Sequence, residues 1–165
     1  MSTPGRAIVV GIDGSEPARA ALRWAVRQSA LTGAPVHAVA VWRQPSVLAA
    51  PDGTGMSPVI PDADLEAQAG RWLEEALATL SEARDDGPGD GIVTPSVRDG
   101  DPREVLLELG RDAELLVLGN KARGAIAGAI AGSVAQHCLH HARCPVLLVP
   151  ADDPPSADPT NTEAG

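Results

Sequence analysis

The stretch from Gly119 to Ser133 contains the residues best suited to bind an anion. Glycine recurs there at positions 119, 124, 128 and 132, and the absence of a Cβ lets backbone N–H groups approach a phosphate oxygen. A helix that begins at Ser133 would add a positive N-terminal end and a hydroxyl donor. The pattern predicts a loop that binds phosphate groups. An explanation without a ligand stays equally open, in which Gly128 and Gly132 serve close packing and Ser133 caps the helix.

Two cations lie in the same stretch. Lys121 is the only lysine in the 165-residue chain, and Arg123 follows it two positions later. The chain carries 13 Lys plus Arg against 22 Asp plus Glu, a net charge of -9, so cations here would offset its repulsion of an anionic ligand. A solvated turn is the alternative explanation for Lys121.

Asp13 is the second candidate for ligand chemistry, in the turn Gly11-Ile12-Asp13-Gly14-Ser15. A carboxylate at that place suits ribose hydroxyls or a Mg²⁺ ion. It suits equally an Asx turn that leads into Ser15. The residue types alone leave both roles open.

Both candidate segments follow short apolar runs that have the composition of buried strands. Strands are predicted over Ala7–Ile12, Pro35–Val41, Ile92–Arg98, Leu115–Gly119 and Pro145–Val149. Helices are predicted from Ser15 to Gly33, from Asp62 or Asp64 to Leu80, from Asp101 to Leu109, and from Ser133 to Ala142. Pro95 cannot donate to a strand ladder and places the third strand at an edge.

The alternation of strand and helix predicts an α/β fold with one doubly wound, parallel, five-stranded sheet. For this sheet we expect the Rossmann-like strand order 3-2-1-4-5. Ligands of such sheets bind outside the carboxyl ends of the strands, where the winding direction reverses. That order would place the turn at Asp13 beside the loop that starts at Gly119.

Length and composition indicate one domain over residues 1–150, followed by a disordered acidic tail over 151–165. The negative net charge argues against binding to nucleic acid. No apolar stretch reaches the roughly 20 residues that cross a bilayer, so we expect no membrane span. Two cysteines without a paired framework and no apolar leader predict a cytoplasmic protein.

Three segments of this sequence resemble the universal stress protein family. They are the turn Gly11–Ser15, the Gly132-Ser133-Val134 end of the Gly-rich stretch, and the closing segment from His140 to Val146. The similarity extends over about Arg6–Pro150. It implies an adenine nucleotide alpha hydrolase-like fold, a regulatory or sensor role in a stress response, and ATP as ligand, with Mg²⁺ carried by the nucleotide. It also implies a homodimer, in which the apolar edge strand Val146–Val149 would pair across a two-fold axis.

Family members that bind ATP share a pattern G-2x-G-9x-G-(S/T). Here Gly119, Gly132 and Ser133 match it, whereas Ala122 replaces the second glycine. The resemblance implies that Gly119 and Gly132 contact the phosphates, and that Ser133 and Val134 contact the terminal ones. Ala122 supports an alternative, a dimeric stress protein that binds no nucleotide and acts through a partner.

The resemblance also implies roles outside the loop. Asp13 would lie near the ribose or a metal-bound phosphate, and Ile12 and Val41 against the adenine. With the loop residues Lys121, Ala122 and Arg123, these complete the predicted nucleotide site.

Neither catalysis nor a resident metal is expected. The chain has no G-x-x-x-x-G-K-[ST] or G-x-S-x-G motif, so at most slow, incidental ATP hydrolysis is predicted. His137, His140 and His141 lie near Cys138 and Cys144, but no second pair of ligands occurs at short spacing elsewhere. The histidines are interpreted as favourable groups at a helix C-terminus.

Overall fold

Strands and helices alternate along the part of the chain that the structure describes. The computed structural model describes residues 6–44, 60–82, 92–121 and 132–151. The elements are β1 (Ile8–Ile12), α1 (Glu16–Thr32), β2 (Val36–Trp42), α2 (Asp62–Glu82), β3 (Val93–Asp99), α3 (Pro102–Gly110), β4 (Leu115–Asn120), α4 (Ser133–His141) and β5 (Val146–Pro150). All nine predicted elements are confirmed, with ends shifted by one or two residues. The Gly- and Asp-rich run over 85–91, which predicts a turn, lies outside the described residues, and so does the predicted tail over 151–165 apart from Ala151.

The five strands form one parallel sheet in the order β3-β2-β1-β4-β5, which confirms the predicted fold class. Ile8 of β1 lies between Val36 of β2 and Leu115 of β4. The chain winds outward from β1 through β2 to β3, and in the opposite direction from β4 to β5. The direction therefore reverses between β1 and β4, and a crevice opens at their carboxyl ends.

Strand β3 lies at one edge of this sheet, as its proline predicted. Pro95 is opposite Ala38 of β2, which is the strand that pairs with β3 among the described residues. An edge strand leaves one row of backbone groups without a ladder, so the missing N–H of proline costs nothing there.

Two hydrophobic layers enclose the sheet because successive strand residues face opposite sides. Helices α1 and α2 cover one face, where Ile8, Val10 and Ile12 of β1 pack with Leu22 and other side chains. Helices α3 and α4 cover the other face, around Val9 of β1. With no Phe or Tyr in the chain, small side chains fill the first layer, and Ala21 and Ala25 of α1 are fully buried.

Helix α1 begins and ends at the predicted residues. The hydroxyl of Ser15 accepts a hydrogen bond from the N–H of Ala18 at 3.3 Å, which caps the first turn. Gly33 adopts a left-handed conformation with φ 77° and donates its N–H to the carbonyl of Ser29 at 2.8 Å. These two caps fix the length of α1 and hold its first turn at the carboxyl end of β1.

Candidate functional site

A cleft opens where β1, β2 and β4 end and where α3 and α4 begin. It has a volume of about 160 Å³. Its lining residues are Gly11, Ile12, Asp13, Ser15, Ala18, Val39, Val41, Pro102, Leu106, Leu118, Gly119, Lys121, Gly132, Ser133, Val134 and Ala135. The volume lies below the roughly 300 Å³ of a pocket that encloses a drug-sized molecule, so a nucleotide would extend beyond these walls.

The cleft brings together eight of the ten residues predicted to bind the nucleotide. They are Ile12, Asp13, Val41, Gly119, Lys121, Gly132, Ser133 and Val134. Ala122 and Arg123 lie outside the described residues. The two segments that the sequence singled out, after β1 and after β4, therefore face one cavity.

The two carboxylate oxygens of Asp13 have different partners. Oδ1 accepts hydrogen bonds from the backbone N–H of Ser15 at 3.1 Å and from its hydroxyl at 2.5 Å. This is the Asx turn that was one interpretation of the residue, and it is confirmed. Oδ2 forms an ion pair with the Nζ of Lys121. One oxygen thus shapes the backbone, while the other is paired with a side chain that also lines the cleft.

Asp13 is charged over the physiological range. Burial alone would raise the pKa of its carboxyl group, but the hydrogen bonds from Lys121 and Ser15 hold this pKa below its ordinary value. The cleft therefore presents a carboxylate, which accepts hydrogen bonds from hydroxyls and coordinates hard cations.

The indole of Trp72, in α2, packs against the backbone of the turn that carries Asp13. Gly14 has φ 79°, and a Cβ built on it would lie 2.5 Å from Cδ1 of the Trp72 indole. Only a residue without a side chain fits this conformation and this contact. The position of Asp13 therefore depends on α2 as well as on β1 and α1.

Gly119 is required for packing between β4 and α1. A Cβ on it would lie 2.6 Å from the backbone nitrogen of Ala18 and 2.6 Å from the carbonyl carbon of Pro17. Such distances to backbone atoms cannot be relieved by a side-chain rotation. Gly119 lines the cleft through its main chain, and the absence of its side chain lets α1 approach the sheet.

Gly132 shows no such packing against the described residues. A Cβ on it would meet Cδ of Lys121 at 3.7 Å, an ordinary van der Waals distance, and its φ of -62° suits any residue. The described contacts therefore give no support to close packing at Gly132, and Gly128 lies outside the described residues. Space next to Gly132 opens toward the cleft.

Helix α4 starts at the cleft without a side-chain cap from the residues described. Gly132 is its N-cap residue, so the interpretation of Ser133 as the cap is wrong. The first intrahelical bond runs from the N–H of Gln136 to the carbonyl of Gly132 at 3.0 Å. The N–H groups of Ser133, Val134 and Ala135 precede it and have no acceptor within the helix. This turn contains no acidic side chain, and it presents partial positive charge to the cleft.

The apolar wall differs in part from the prediction. Val41 lines the cleft as expected, beside Val39, which shares its face of β2. Ile12 also borders the cleft, but the residue is only 4% exposed and its side chain packs under α1 and α2. Ile12 therefore offers little side-chain surface to a ligand.

Sequence reasoning missed several lining residues. Val39 could have been found, because strand periodicity puts it on the same face as Val41. Pro102 and Leu106 belong to α3, and no motif marks them. Their place depends on how α3 lies across β1 and β2.

The histidines and cysteines of α4 and its C-terminal turn form no metal centre. His137 and His141 stack with ring centroids 4.2 Å apart, and Nδ1 of His141 is 2.8 Å from the carbonyl oxygen of His137. Across the described ranges, no group of three or more His, Cys, Asp or Glu is placed to hold a metal ion. Burial and the nearby Cys144 raise the pKa of Cys138 to about 11, which keeps that thiol protonated.

Comparison with known proteins agrees with this architecture. The model of the universal stress protein family matches residues 5–150. The chain belongs to the universal stress protein family. Relatives include a universal stress protein of Mycobacterium tuberculosis, 32% identical over 162 residues, and one of Mycolicibacterium smegmatis, 30% identical over 154 residues. Each alignment covers 92% of this chain and 50% of the relative, so the chain spans about half the length of these proteins.

Solved universal stress proteins have the same fold. One from Burkholderia pseudomallei is 27% identical, with a TM-score of 0.62, and the match covers 92% of this chain and all of the other. A universal stress protein in complex with cAMP gives a TM-score of 0.62 at 23% identity, over 91% of this chain and 100% of the other. One from Archaeoglobus fulgidus in complex with dAMP gives 0.59 at 22% identity, over 89% and 99%.

Within the described part of this universal stress protein, no helix combines the length and the apolar character needed to cross a membrane.

Proposed function

We propose that this universal stress protein binds an adenine nucleotide, ATP in the first place, in the cleft at the carboxyl ends of β1 and β4. One observation carries the proposal. The Asp13 carboxylate and the first turn of α4, which no described side chain caps, line the same cavity as an apolar wall. A nucleotide needs these three environments for its ribose or metal ion, its phosphates and its base. The relatives solved with cAMP and with dAMP bind adenine nucleotides, which supports the choice of base.

Each chemical group of the ligand has a proposed partner. The amides of α4 and the Ser133 hydroxyl would bind the phosphates, with Lys121 as counter-ion. Asp13 Oδ2 would accept a ribose hydroxyl or coordinate a Mg²⁺ ion brought by the triphosphate. The side chains of Val39 and Val41 would lie against the adenine. The role of Gly119 would be indirect, since it sets the distance between α1 and β4.

A regulatory role, as sensor of a stress signal in the cytoplasm, suits this lining better than catalysis. Among the described residues of the cleft, the ionisable side chains are Asp13 and Lys121, and they pair with each other. An acid that is paired and carries a lowered pKa is a weak general base. We therefore propose that any ATP hydrolysis is slow and incidental.

Calorimetric titration with ATP tests the site. The wild-type chain is expected to bind with micromolar affinity, and Gly132→Val to lose binding, because its methyl groups would occupy the cleft beside Lys121 without straining the backbone. Gly70→Val is a matched control, since a Cβ built on Gly70 of α2 has no atom of the described residues within 4 Å and Gly70 is not among the residues that line the cleft. Equal heats from all three proteins would refute the proposed site.

A homodimer through β5 is a second part of the proposal. Among the described strands β5 pairs with β4 alone, and Val146–Val149 remains partly exposed. An apolar edge strand favours pairing with a second copy. Light scattering is expected to give twice the chain mass, and a monomer at every concentration would contradict this.

The same edge serves the alternative function, in which the dimer acts through a partner and binds no nucleotide. Acid extraction of the purified protein separates the two proposals. Release of an adenine nucleotide supports binding, whereas a dimer that yields none and gives no heat with ATP supports the alternative.

A further inference from the structure

The ion pair between Lys121 and Asp13 lies inside the proposed nucleotide site. It joins the loop after β4 to the turn after β1, and both side chains line the cleft. The side chains of Lys121 and Asp13 are 52% and 40% exposed, so a ligand can reach either one.

We propose that Lys121 makes this cleft selective for ligands that carry a phosphate group, because it holds Asp13 Oδ2 until a phosphate takes over its ammonium group. The inference rests on the proposed function and adds a specificity-determining residue to it. The ligand class is a phosphorylated nucleoside, and the class rejected is the same nucleoside without phosphate.

Binding of a ligand at Asp13 would exchange the partners of both Asp13 and Lys121. A nucleoside whose ribose hydroxyl bonds to Asp13 Oδ2 must displace Lys121, and nothing in the nucleoside replaces the lost negative partner. A nucleotide supplies that partner, since its phosphate oxygens accept from the ammonium group while the ribose or its metal ion takes the carboxylate. A nucleotide thus provides new partners for both Asp13 and Lys121, whereas a nucleoside provides one only for Asp13 and leaves Lys121 with fewer hydrogen bonds.

The Lys121 side chain lies close to both places between which its ammonium group would move. Its Cδ lies 3.7 Å from the position of a Cβ built on Gly132, the residue that begins α4. The aliphatic part of the side chain therefore passes the first turn of α4, where the phosphates are proposed to bind, and its Nζ reaches across to Asp13. Rotation about the terminal bonds of the side chain would therefore carry Nζ from Asp13 toward the first turn of α4.

Neighbouring charges leave Oδ2 as the exchangeable position. Ser15 holds Oδ1 through two hydrogen bonds, so that oxygen keeps its structural role. Glu16, the other acid near this turn, forms ion pairs of 2.8 Å with Arg19 and of 2.8 Å with Arg23. Glu16 is thereby engaged on α1.

The first experiment compares the affinities of ATP and adenosine for the wild type and Lys121→Met. We expect the variant to bind ATP about tenfold more weakly, because a charge-assisted hydrogen bond to phosphate is lost. Adenosine should bind equally well or up to about fivefold better, because Asp13 is released from a partly exposed ion pair. The preference for ATP over adenosine therefore falls at least about tenfold.

Two further variants serve as controls. Lys121→Arg keeps the cation and should retain most of the preference. Arg27→Met removes a cation from α1 about 16 Å along the helix from Glu16 and should leave both affinities unchanged. If Lys121→Met weakens ATP and adenosine alike, or changes neither, the selectivity proposal is overturned while the proposed function stands. If the wild type binds neither ligand, both are overturned.

A second experiment tests the ion pair without any ligand. Because the chain has one lysine, reductive methylation with a ¹³C reagent gives a single side-chain NMR signal besides that of the N-terminus. Methylation keeps the positive charge. We expect Asp13→Asn to shift this signal in the unliganded protein, and Arg27→Met to leave it in place. A signal that is the same in the wild type and in Asp13→Asn would show that the pair does not form, and would overturn the proposal.

Discussion

Helices α1 and α4 both begin at the cleft, yet their first turns differ. Ser15 caps α1, and Glu16 adds an acid to its first turn, so the chain itself satisfies the amides and the helix dipole there. At α4, Gly132 occupies the cap position, no side-chain cap is formed by the described residues, and the first turn contains no acid. The two helices therefore present different first turns to the cleft: the first turn of α1 is capped by its own side chain, and that of α4 has no cap from the described residues.

The largest expected effect is a difference in stability between substitutions of Gly119 and Gly132, the two glycines that flank the loop after β4. Gly119→Ala places a Cβ 2.6 Å from backbone atoms of the first turn of α1, and we expect a loss of about 3 kcal/mol in the free energy of unfolding. Among the described atoms, the Cβ of Gly132→Ala meets Cδ of Lys121, at 3.7 Å, and the variant should cost less than about 1 kcal/mol. Urea unfolding of both variants measures the difference. Similar losses would contradict the distinction drawn between the two glycines.

An acidic residue at the N-cap position of α4 should make the first turn of α4 resemble that of α1. In Gly132→Asp the new carboxylate would bond to the open amides, as Ser15 does in α1, and raise the free energy of unfolding by a few tenths of a kcal/mol. It would also repel phosphates, so ATP affinity should fall more than about tenfold, or about 1.4 kcal/mol. Gly132→Ser, which adds a cap without charge, should lose less affinity. Unchanged ATP binding in Gly132→Asp would remove α4 from the proposed site.

The smallest expected effect is the loss of stability at acid pH that comes from Asp13, in the turn before α1. The pKa of Asp13 is lowered in the folded state, so its contribution to stability is present above the unfolded pKa of about 3.9 and is lost as the pH falls through the lower, folded value. Its partial exposure limits that contribution to less than about 1 kcal/mol.

The contribution of Asp13 to stability can be measured by urea unfolding at pH 7 and at about pH 3, with the wild type compared with Asp13→Asn. The free energy of unfolding of the wild type should fall more between the two pH values than that of the variant. Lys121→Met should show a reduced fall, since one of the two partners of Asp13 is missing. A fall that is equal in all three proteins would mean that neither Asp13 nor its partner contributes.

Local sequence patterns were sufficient for the fold. Short apolar runs and cap residues such as Ser15, Gly33 and Asp101 are signals carried by neighbouring residues, and these fix strand and helix ends to within two positions. The handedness of the connections makes the sheet doubly wound, whereas the Rossmann-like strand order is an added expectation, which the structure confirms. That order brings the turn at Asp13 and the loop at Gly119 side by side.

Contacts between distant segments set the limit of that reasoning. The sequence shows that position 119 is a glycine, but not which part of the fold lies against it. That Pro17 and Ala18 lie there depends on how α1 crosses β4. The partnership of Asp13 with Lys121 joins residues that are 108 positions apart and needs both loops in their folded conformation. Leu106 enters the cleft through the placement of a whole helix, which no local motif specifies.

The contact between Trp72 and Gly14 gives the molecule a fluorescent probe of its own. The indole lies against the turn that carries Asp13, and the chain contains only two other tryptophans, Trp24 and Trp42, and no tyrosine. In a chain with Trp24→Phe and Trp42→Phe, all indole emission would come from beside the cleft. Changes in its intensity or wavelength would then follow occupancy of the site in real time.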